Sequence, residues 1–302
     1  MENTWYVIAN PISGNGAVKR KWNEIISILN TNKLSFEFSF TKYHLHELEL
    51  VKNATEKGFR KFISIGGDGT LHNVVNGIMS QKHNPLAFKI AVIPLGTGND
   101  WVKTYHISKN LNKAIAIIKK ENTTIQDIGY IELLNSKKGV YFNNLAGLGF
   151  DGFVVNNINK YKKLGAFSYL YATIISFLQY NKSLLTIEFN DNKLTTKSLL
   201  TLVGICQYSG GGMQLTKNIN TNDGLFDISI AKNISLLMML LNIIKFYNGK
   251  IVNHKEIDNY KTSEIKIKSE DKNTFIQADG ELIGQGAFKA KIIPKALHFI
   301  IP

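Results

Sequence analysis

The sequence predicts two domains, a three-layer α/β domain on a mostly parallel sheet followed by an antiparallel β-sandwich. Two observations predict them. Over residues 1–125, short β-rich runs alternate with helical patterns, which is how βαβ units read. Beyond that point strand-like runs follow one another with turn signals between them, the pattern of antiparallel sheets.

In the first domain the strand runs are "WYVIAN" (5–10), "LSFEFSFT" (34–41), "KFISIG" (61–66) and "KIAVIP" (89–94). Helical patterns lie near 17–30, 44–57 and 70–80. Parallel strands bring all their carboxyl ends to one edge, and ligands of such sheets sit beyond that edge. Three of the four strands end there in glycine-containing polar loops, "NPISGNG", "GGDGT" and "PLGTGND", and the remaining one ends in "FTKYH", at Thr41. The boundary is expected at 128/129, giving domains 1–128 and 129–302. No Gly/Ser- or Pro-rich linker joins them, so close packing with a cleft between is expected. The closing segment, 291–302, reads as a strand that either domain could claim, and packing back on the first is one expectation.

The second half contains "TIQDIGYIELL", "GVYFNNLAGLGF", "LLTIEFN", "LLTLVGICQYS", "LFDISIA", "SEIKIKS" and "KNTFIQADGELIG". Two apolar stretches interrupt them, 164–180 and 234–249, each shorter than the roughly 20 residues that span a bilayer. Both are expected to be buried or interface helices. In the alternative, the second lines a lipid pocket, where Met238 and Met239 would adapt to acyl chains.

Composition narrows the function classes. The 302 residues are 44% hydrophobic and 20% charged, ordinary values for a folded soluble chain. A single cysteine, Cys206, excludes a disulfide framework and any cysteine-based zinc site, and suits a reducing cytosol. The N-terminus has no basic n-region or long apolar h-region, so a cytoplasmic location is expected. The net charge of +13 is spread over short clusters such as Lys19-Arg20-Lys21, Lys119-Lys120 and Lys160 to Lys163. Such a surface attracts polyanions, whether nucleic acid, nucleotide phosphates or an anionic membrane. No nucleic-acid recognition motif or aromatic-basic interleaving is present, so a nucleic-acid partner is not expected.

The glycine loops carry the chemistry. A G-x-x-x-x-G-K-[ST] phosphate loop is absent. "GLGFDG" (147–152) fits the dinucleotide pattern but stands outside the βαβ region and lacks the acidic ribose partner about 20 residues on, so a tight turn or close backbone approach is expected there. "GGDGT" follows an apolar strand and opens a helix. Its glycines let amides approach a phosphate, and the helix N-terminus favours negative charge. Asp68 would bind a Mg²⁺ that bridges phosphates or position a hydroxyl nucleophile. A capped turn, with Asp68 or Thr70 as cap, reads equally well on local sequence. "ANPISGNG" offers Asn10, Ser13, Gly14 and Gly16 in the same way, and "IPLGTGND" offers Thr97 and Asn99. Three such loops on one edge favour a phosphate cradle over three coincidental turns.

Two later motifs, "NDGLFDI" (222–228) and "IQADGELIG" (276–284), place Asp-Gly between strand runs. Asp-Gly is a strong hairpin signal, and a plain turn is one reading of each. The other is a carboxylate, Asp279 or Glu281, that orients or deprotonates an alcohol nucleophile. The seven histidines form no metal-binding spacing.

The ordered set "NPISG", "GGDGT", "PLGTGND", "NLAGLGFDG", "SGGGM", "DGLFD" and "ADGE" resembles the diacylglycerol-kinase catalytic family, in particular its soluble bacterial lipid kinases, which are relatives of the sphingosine and ceramide kinases. The resemblance covers nearly the whole chain. It implies ATP contacts from Asn10, Pro11, Ile12, Ser13 and Gly14, from Thr41, from Gly66, Gly67, Asp68, Gly69, Thr70, Leu71 and His72, and from Gly96, Thr97 and Asn99. It implies a catalytic carboxylate in the "DGE" loop, Asp279 or Glu281, with Asp68 a third candidate. It also implies a structural Mg²⁺ at Asn220, Asp223 and the Leu225 carbonyl, with help from Asp100. Trp101 stands where relatives often have Phe.

The expected function is an ATP-dependent lipid kinase that phosphorylates diacylglycerol or a similar lipid while docked on an anionic membrane surface. The alternatives are an NAD kinase, which shares "GGDGT", and a nucleotide- or lipid-binding regulator without catalysis. A second copy of the chain is a further candidate partner, on which the sequence carries no signal.

Overall fold

A computed structural model describes residues 3–161, 175–271 and 274–302. Most of the first apolar stretch, 164–174, lies outside the described residues, as do Lys162 and Lys163 of the last basic cluster. The chain forms two compact units, Met1–Ile128 with Pro294–Pro302, and Gly129–Ile293.

The first unit holds four parallel strands, β1 (Trp5–Ala9), β2 (Phe36–Phe40), β3 (Lys61–Gly66) and β4 (Lys89–Pro94), in the order β2-β1-β3-β4. His298 and Phe299, from the end of the chain, continue the sheet beside Lys89 and Ile90. Every residue of β1 is buried, as a strand covered on both faces must be. Its odd-numbered residues Trp5, Val7 and Ala9 pack with Ile63, Ile65, Ala91 and Ile93 under three helices, α1 (Ser13–Arg20), α2 (Trp22–Thr31) and α6 (Leu111–Lys120). The even-numbered residues point the other way, and α3 (His46–Glu56) and α4 (Asp68–Met79) lie on that side. A one-turn helix, α5 (Trp101–Thr104), follows the loop after β4. Because β1 pairs with both β2 and β3, the strand order reverses between β1 and β3. The crevice beyond such a reversal is where open α/β sheets take ligands.

Strand β5 (Thr123–Leu133) carries the chain into the second unit, where it pairs with β6 (Gly139–Phe142). Two antiparallel layers follow. One runs β14-β13-β10-β7-β16-β17, from β7 (Leu145–Gly149), β10 (Leu200–Gly204), β13 (Phe226–Ala231), β14 (Ile257–Thr262), β16 (Phe275–Ala278) and β17 (Glu281–Gln285). In the other, β8 (Ser183–Phe189) pairs with β9 (Asn192–Ser198) and β15 (Glu264–Ser269), and β15 pairs with the first residues of β18 (Phe288–Ile300). A short hairpin, β11 (Tyr208–Ser209) and β12 (Met213–Gln214), stands apart. The layers meet through aromatic pairs. Phe142 stacks on Phe226 with centroids 5.6 Å apart, and Phe189 meets Tyr260 at 4.8 Å. Helix α7 (Phe150–Tyr161) starts directly from β7.

Of the expectations for the 234–249 stretch, a buried or interface helix or the wall of a pocket, full burial does not hold. The stretch forms two short helices, α8 (Leu236–Leu241) and α9 (Ile243–Tyr247), that leave Leu237, Leu241 and Ile244 exposed. Asn242 ends the first by hydrogen-bonding the Met238 carbonyl through its side-chain amide, 2.7 Å. Among the described residues no helix is long and apolar enough to cross a membrane.

Phe142 is fully buried between the layers. Phe142→Ala is expected to destabilise the protein by about 3–5 kcal/mol, read from the shift of the urea unfolding midpoint.

Candidate active site

In the first unit, backbone contacts draw the predicted loops together. The Asn10 amide donates to the Ile65 carbonyl (2.9 Å), the Thr41 amide to Ala9 (2.9 Å) and the Leu95 amide to Gly66 (2.8 Å). Asn10 Nδ2 reaches Thr70 Oγ1 at 3.4 Å. A side chain on Gly96 would collide with the Cα of Gly67, and one on Gly14 with the Leu95 carbonyl. Glycine is thus required because backbones touch there. Gly14, Asn15 and Gly16 all adopt left-handed conformations, so the chain turns sharply before α1 becomes regular.

Asp68 is the first residue of α4, where helix amides have no intrahelical partner and the dipole favours anions. Its carboxylate accepts from the amides of Asp100 (3.0 Å) and Trp101 (3.2 Å), tying the start of α4 to the loop after β4. Asp100 is itself ion-paired with Lys103 at 2.6 Å. Pro11, Ile12, Ser13, Gly14, Gly67, Asp68, Gly69, Gly96 and Thr97 retain accessible surface. Gly66, Thr70, Leu71, His72 and Thr41 are buried beneath them and support the edge from below. Asn99 is buried as well. Its side chain clasps its own loop, accepting from Gly96 N–H and donating to Gly96 O, so it shapes the turn and does not present a free amide.

In the second unit the "ADGE" segment is a tight hairpin between β16 and β17. Asp279 (φ 52°) and Gly280 (φ 84°) are both left-handed, as a type I′ turn demands. The plain-turn reading therefore holds for the backbone. The two carboxylates then part company. Asp279 is buried and accepts from the amides of Asn143 (3.0 Å), Asn144 (2.9 Å) and Leu145 (3.1 Å), anchoring the hairpin to the strand beside it. Glu281 is exposed at the start of β17 and makes no hydrogen bond or ion pair with another described residue.

The same unit holds a cavity of about 360 Å³, lined by Phe150, Leu202, Met213, Ile234, Phe246 and Ile257 among others, and nearly all apolar. Asp151 is the charged residue on its wall. Its Oδ2 accepts from Gln277 Nε2 at 2.8 Å, while its Oδ1 is buried with no hydrogen-bond partner among the described residues. Burial pushes the carboxyl up to about 6, against the opposing pull of the Gln277 bond and nearby amides. Gln277 also accepts from the Gly280 amide at 2.9 Å, so one side chain links the cavity wall to the turn that precedes Glu281. No motif signalled this link. "GLGFDG" signalled only close backbone approach, which is found where side chains on Gly149 and Gly152 would strike the carbonyls of Leu199 and Phe275.

The residues expected to hold a structural Mg²⁺ have other partners. Asp223 Oδ1 accepts from the Leu225 amide and Oδ2 is ion-paired with Lys261 at 2.9 Å, while Asn220 Oδ1 accepts from Asn222 N–H. An ammonium group thus sits where a cation would, and one carboxylate remains in the set. Among the described residues no group of three or more His, Cys, Asp or Glu could hold a metal. The segment does not fit a resident Mg²⁺, because Lys261 already neutralises its carboxylate.

Two outcomes follow from this geometry. Asp279→Asn replaces an acceptor of three amides with a group that can serve fewer, and is expected to cost about 2–4 kcal/mol in urea unfolding, without loss of surface charge as the cause. Asp151 holds its proton more tightly folded (about 6) than unfolded (3.8), so stability falls as pH rises through that window. The wild type should lose at most about 3 kcal/mol there relative to Asp151→Asn, read from paired denaturation curves at a series of pH values.

The comparisons with known proteins agree along the chain. Residues 4–131 match the diacylglycerol kinase catalytic domain, and residues 144–301 match the YegS C-terminal NAD kinase beta sandwich-like domain. Diacylglycerol kinase of Staphylococcus carnosus is 28% identical over 283 residues, covering 92% of this chain and 89% of the relative. That of Staphylococcus epidermidis is 29% identical over 272 residues, covering 87% and 81%. A crystal structure of a diacylglycerol kinase from Bacillus anthracis superposes with a TM-score of 0.74 at 20% identity, over 99% of this chain and 97% of that one, and shares the fold. Matched in both halves, the chain belongs to the diacylglycerol kinase catalytic family and is a lipid kinase.

Proposed function

We propose that this lipid kinase transfers the γ-phosphoryl group of Mg-ATP to the primary hydroxyl of diacylglycerol, giving phosphatidic acid. ATP is the donor that the kinase family implies. The three glycine loops and the start of α4 would hold its phosphates, whose charge a Mg²⁺ arriving with the nucleotide would offset, and Asp68 holds the loop after β4 in place. The acceptor's acyl chains enter the apolar cavity of the second unit. Glu281 takes the hydroxyl proton as the acceptor oxygen bonds to the γ-phosphorus and the bond to the ADP oxygen breaks. Asp279 is the scaffold of that hairpin, since three amides already engage its carboxylate.

The observation that carries the reading is an apolar cavity joined to the Asp-Gly-Glu hairpin through Gln277. A nicotinamide dinucleotide, polar over most of its surface, would leave its groups without partners on such walls, which argues against the NAD kinase alternative. The acceptor resides in a bilayer, so the reading entails work at a membrane surface.

Radiolabelled ATP offered with diacylglycerol, ceramide, sphingosine, phosphatidylglycerol and NAD⁺, the lipids in mixed micelles, tests the assignment. Label in phosphatidic acid above every other product supports it. Label on NAD⁺ alone, or on nothing, overturns it. Glu281→Gln is expected to lower kcat by about 100-fold or more with the KM for ATP unchanged. Full turnover in that variant would remove Glu281 as the base.

A further inference from the structure

The helix pair α8–α9 has two apolar sides. Met239 and Phe246 line the cavity from within. On the outside, Leu241 is 75% exposed and Ile244 73%, with Leu237 and Tyr247 more than half exposed. Leu240, Ile243 and Tyr247 belong to both sets, lining the cavity and meeting solvent. Cavity and outer apolar surface are therefore continuous across these two helices.

The charge around the pair is one-sided. Between Lys232 and Lys255 the sequence contains four lysines and no acidic residue. Lys245, Lys250 and Lys255 are exposed, while Lys232 is ion-paired with Asp258. A short apolar face flanked by lysines, on helices too short to span a bilayer, has the composition of an element that lies in the headgroup region of an anionic membrane. Clustered exposed side chains of this size mark an interaction site, since single surface leucines need no such company.

We propose that α8–α9 is the membrane-inserting element of this protein and the doorway through which the lipid acceptor passes from an anionic bilayer into the cavity. Leu237, Leu241 and Ile244 enter the acyl boundary, Lys245 and Lys250 contact anionic headgroups, and Leu240, Ile243 and Tyr247 form the sill between bilayer and cavity. The acceptor then never leaves an apolar medium, which removes the cost of carrying two acyl chains through water. The proposal rests on the lipid-kinase reading for what enters the cavity, but the membrane contact is testable by itself.

Sedimentation with phosphatidylcholine vesicles, with and without phosphatidylglycerol, tests it. Wild type should pellet with the anionic vesicles and largely remain in solution with the neutral ones. Leu241→Glu/Ile244→Glu, which alters no cavity-lining residue, should bind anionic vesicles at least about tenfold more weakly, the factor that losing one inserted side chain predicts. It should keep wild-type turnover of a short-chain, water-soluble diacylglycerol. Lys245→Glu/Lys250→Glu should lose the preference for the anionic vesicles. Leu241→Trp should be quenched by brominated acyl chains, placing that position in the bilayer. Unchanged vesicle binding in the double glutamate variant overturns the proposal. So does a change from dimer to monomer in that variant with vesicle binding retained, which would make the patch a contact between copies of the chain. Absence of turnover on the short-chain substrate in the wild type counts against the kinase reading and leaves the vesicle result to stand by itself.

Discussion

At the carboxyl edge of the parallel sheet the backbones of Gly67 and Gly96 are in contact, and much else depends on that approach. It lets the loops after β3 and β4 lie side by side, so Asp68 can reach the amides of Asp100 and Trp101. Those bonds fix the start of α5, whose Trp101 is buried against Phe299 and donates its indole N–H to Gln126. A methyl group on Gly96 would strike the Gly67 backbone and wedge the loops apart, breaking the chain of contacts from the sheet edge to the core. The strand-order reversal between β1 and β3 supplies the crevice, and the paired glycines let the loops beside it approach closely.

The second unit obeys a different constraint. A type I′ turn is a weak anchor by itself, since two left-handed residues leave the hairpin tip few contacts of its own. Asp279 compensates by gathering three consecutive amides from Asn143 to Leu145, the entrance to β7. Two residues earlier, Gln277 fastens the same turn to Asp151. The exposed Glu281 therefore follows a turn whose Asp279 carboxylate and whose Asp279 and Gly280 amides are engaged. One acidic residue is held by three amides and the other, two positions on, is exposed, a difference that the shared "DGE" spacing conceals.

Fold class was legible because it rests on periodicity. The βαβ beat and the run of antiparallel strands each follow from where apolar side chains must point. The convergence of the loops was legible for the same reason, since three strands end in glycine loops and parallel strands end together. What local sequence could not separate was Asp279 from Glu281, or Asn99 as a ligand from Asn99 as a clasp. Those distinctions depend on partners more than a hundred residues away for Asp279, and on a left-handed φ at Asn99. The partner of Asp223 was hidden in a similar way. Lys261 sits on β14, thirty-eight residues beyond Asp223, and only pairing with β13 brings it to that carboxylate. The break in the 234–249 stretch turned on Asn242, a polar residue that caps more readily than it continues a helix.

The net charge of +13 takes on meaning only with the geometry beside it. Several lysines are committed within the folded units. Lys61 and Lys89 share Glu121, Lys103 holds Asp100, and Lys261 lies between Asp223 and Asp227. These pairs have no surplus to offer a partner. Lys245, Lys250 and Lys255 differ, being exposed within a stretch, Lys232 to Lys255, that contains no acidic residue. Excess charge therefore coincides with exposed apolar surface and with the wall of the cavity. Electrostatic attraction falls off within about 8 Å at physiological salt, so it can orient the chain toward an anionic surface without holding it there. Retention needs the leucines and isoleucines, and their burial in the acyl boundary is what would bring the cavity mouth into contact with lipid.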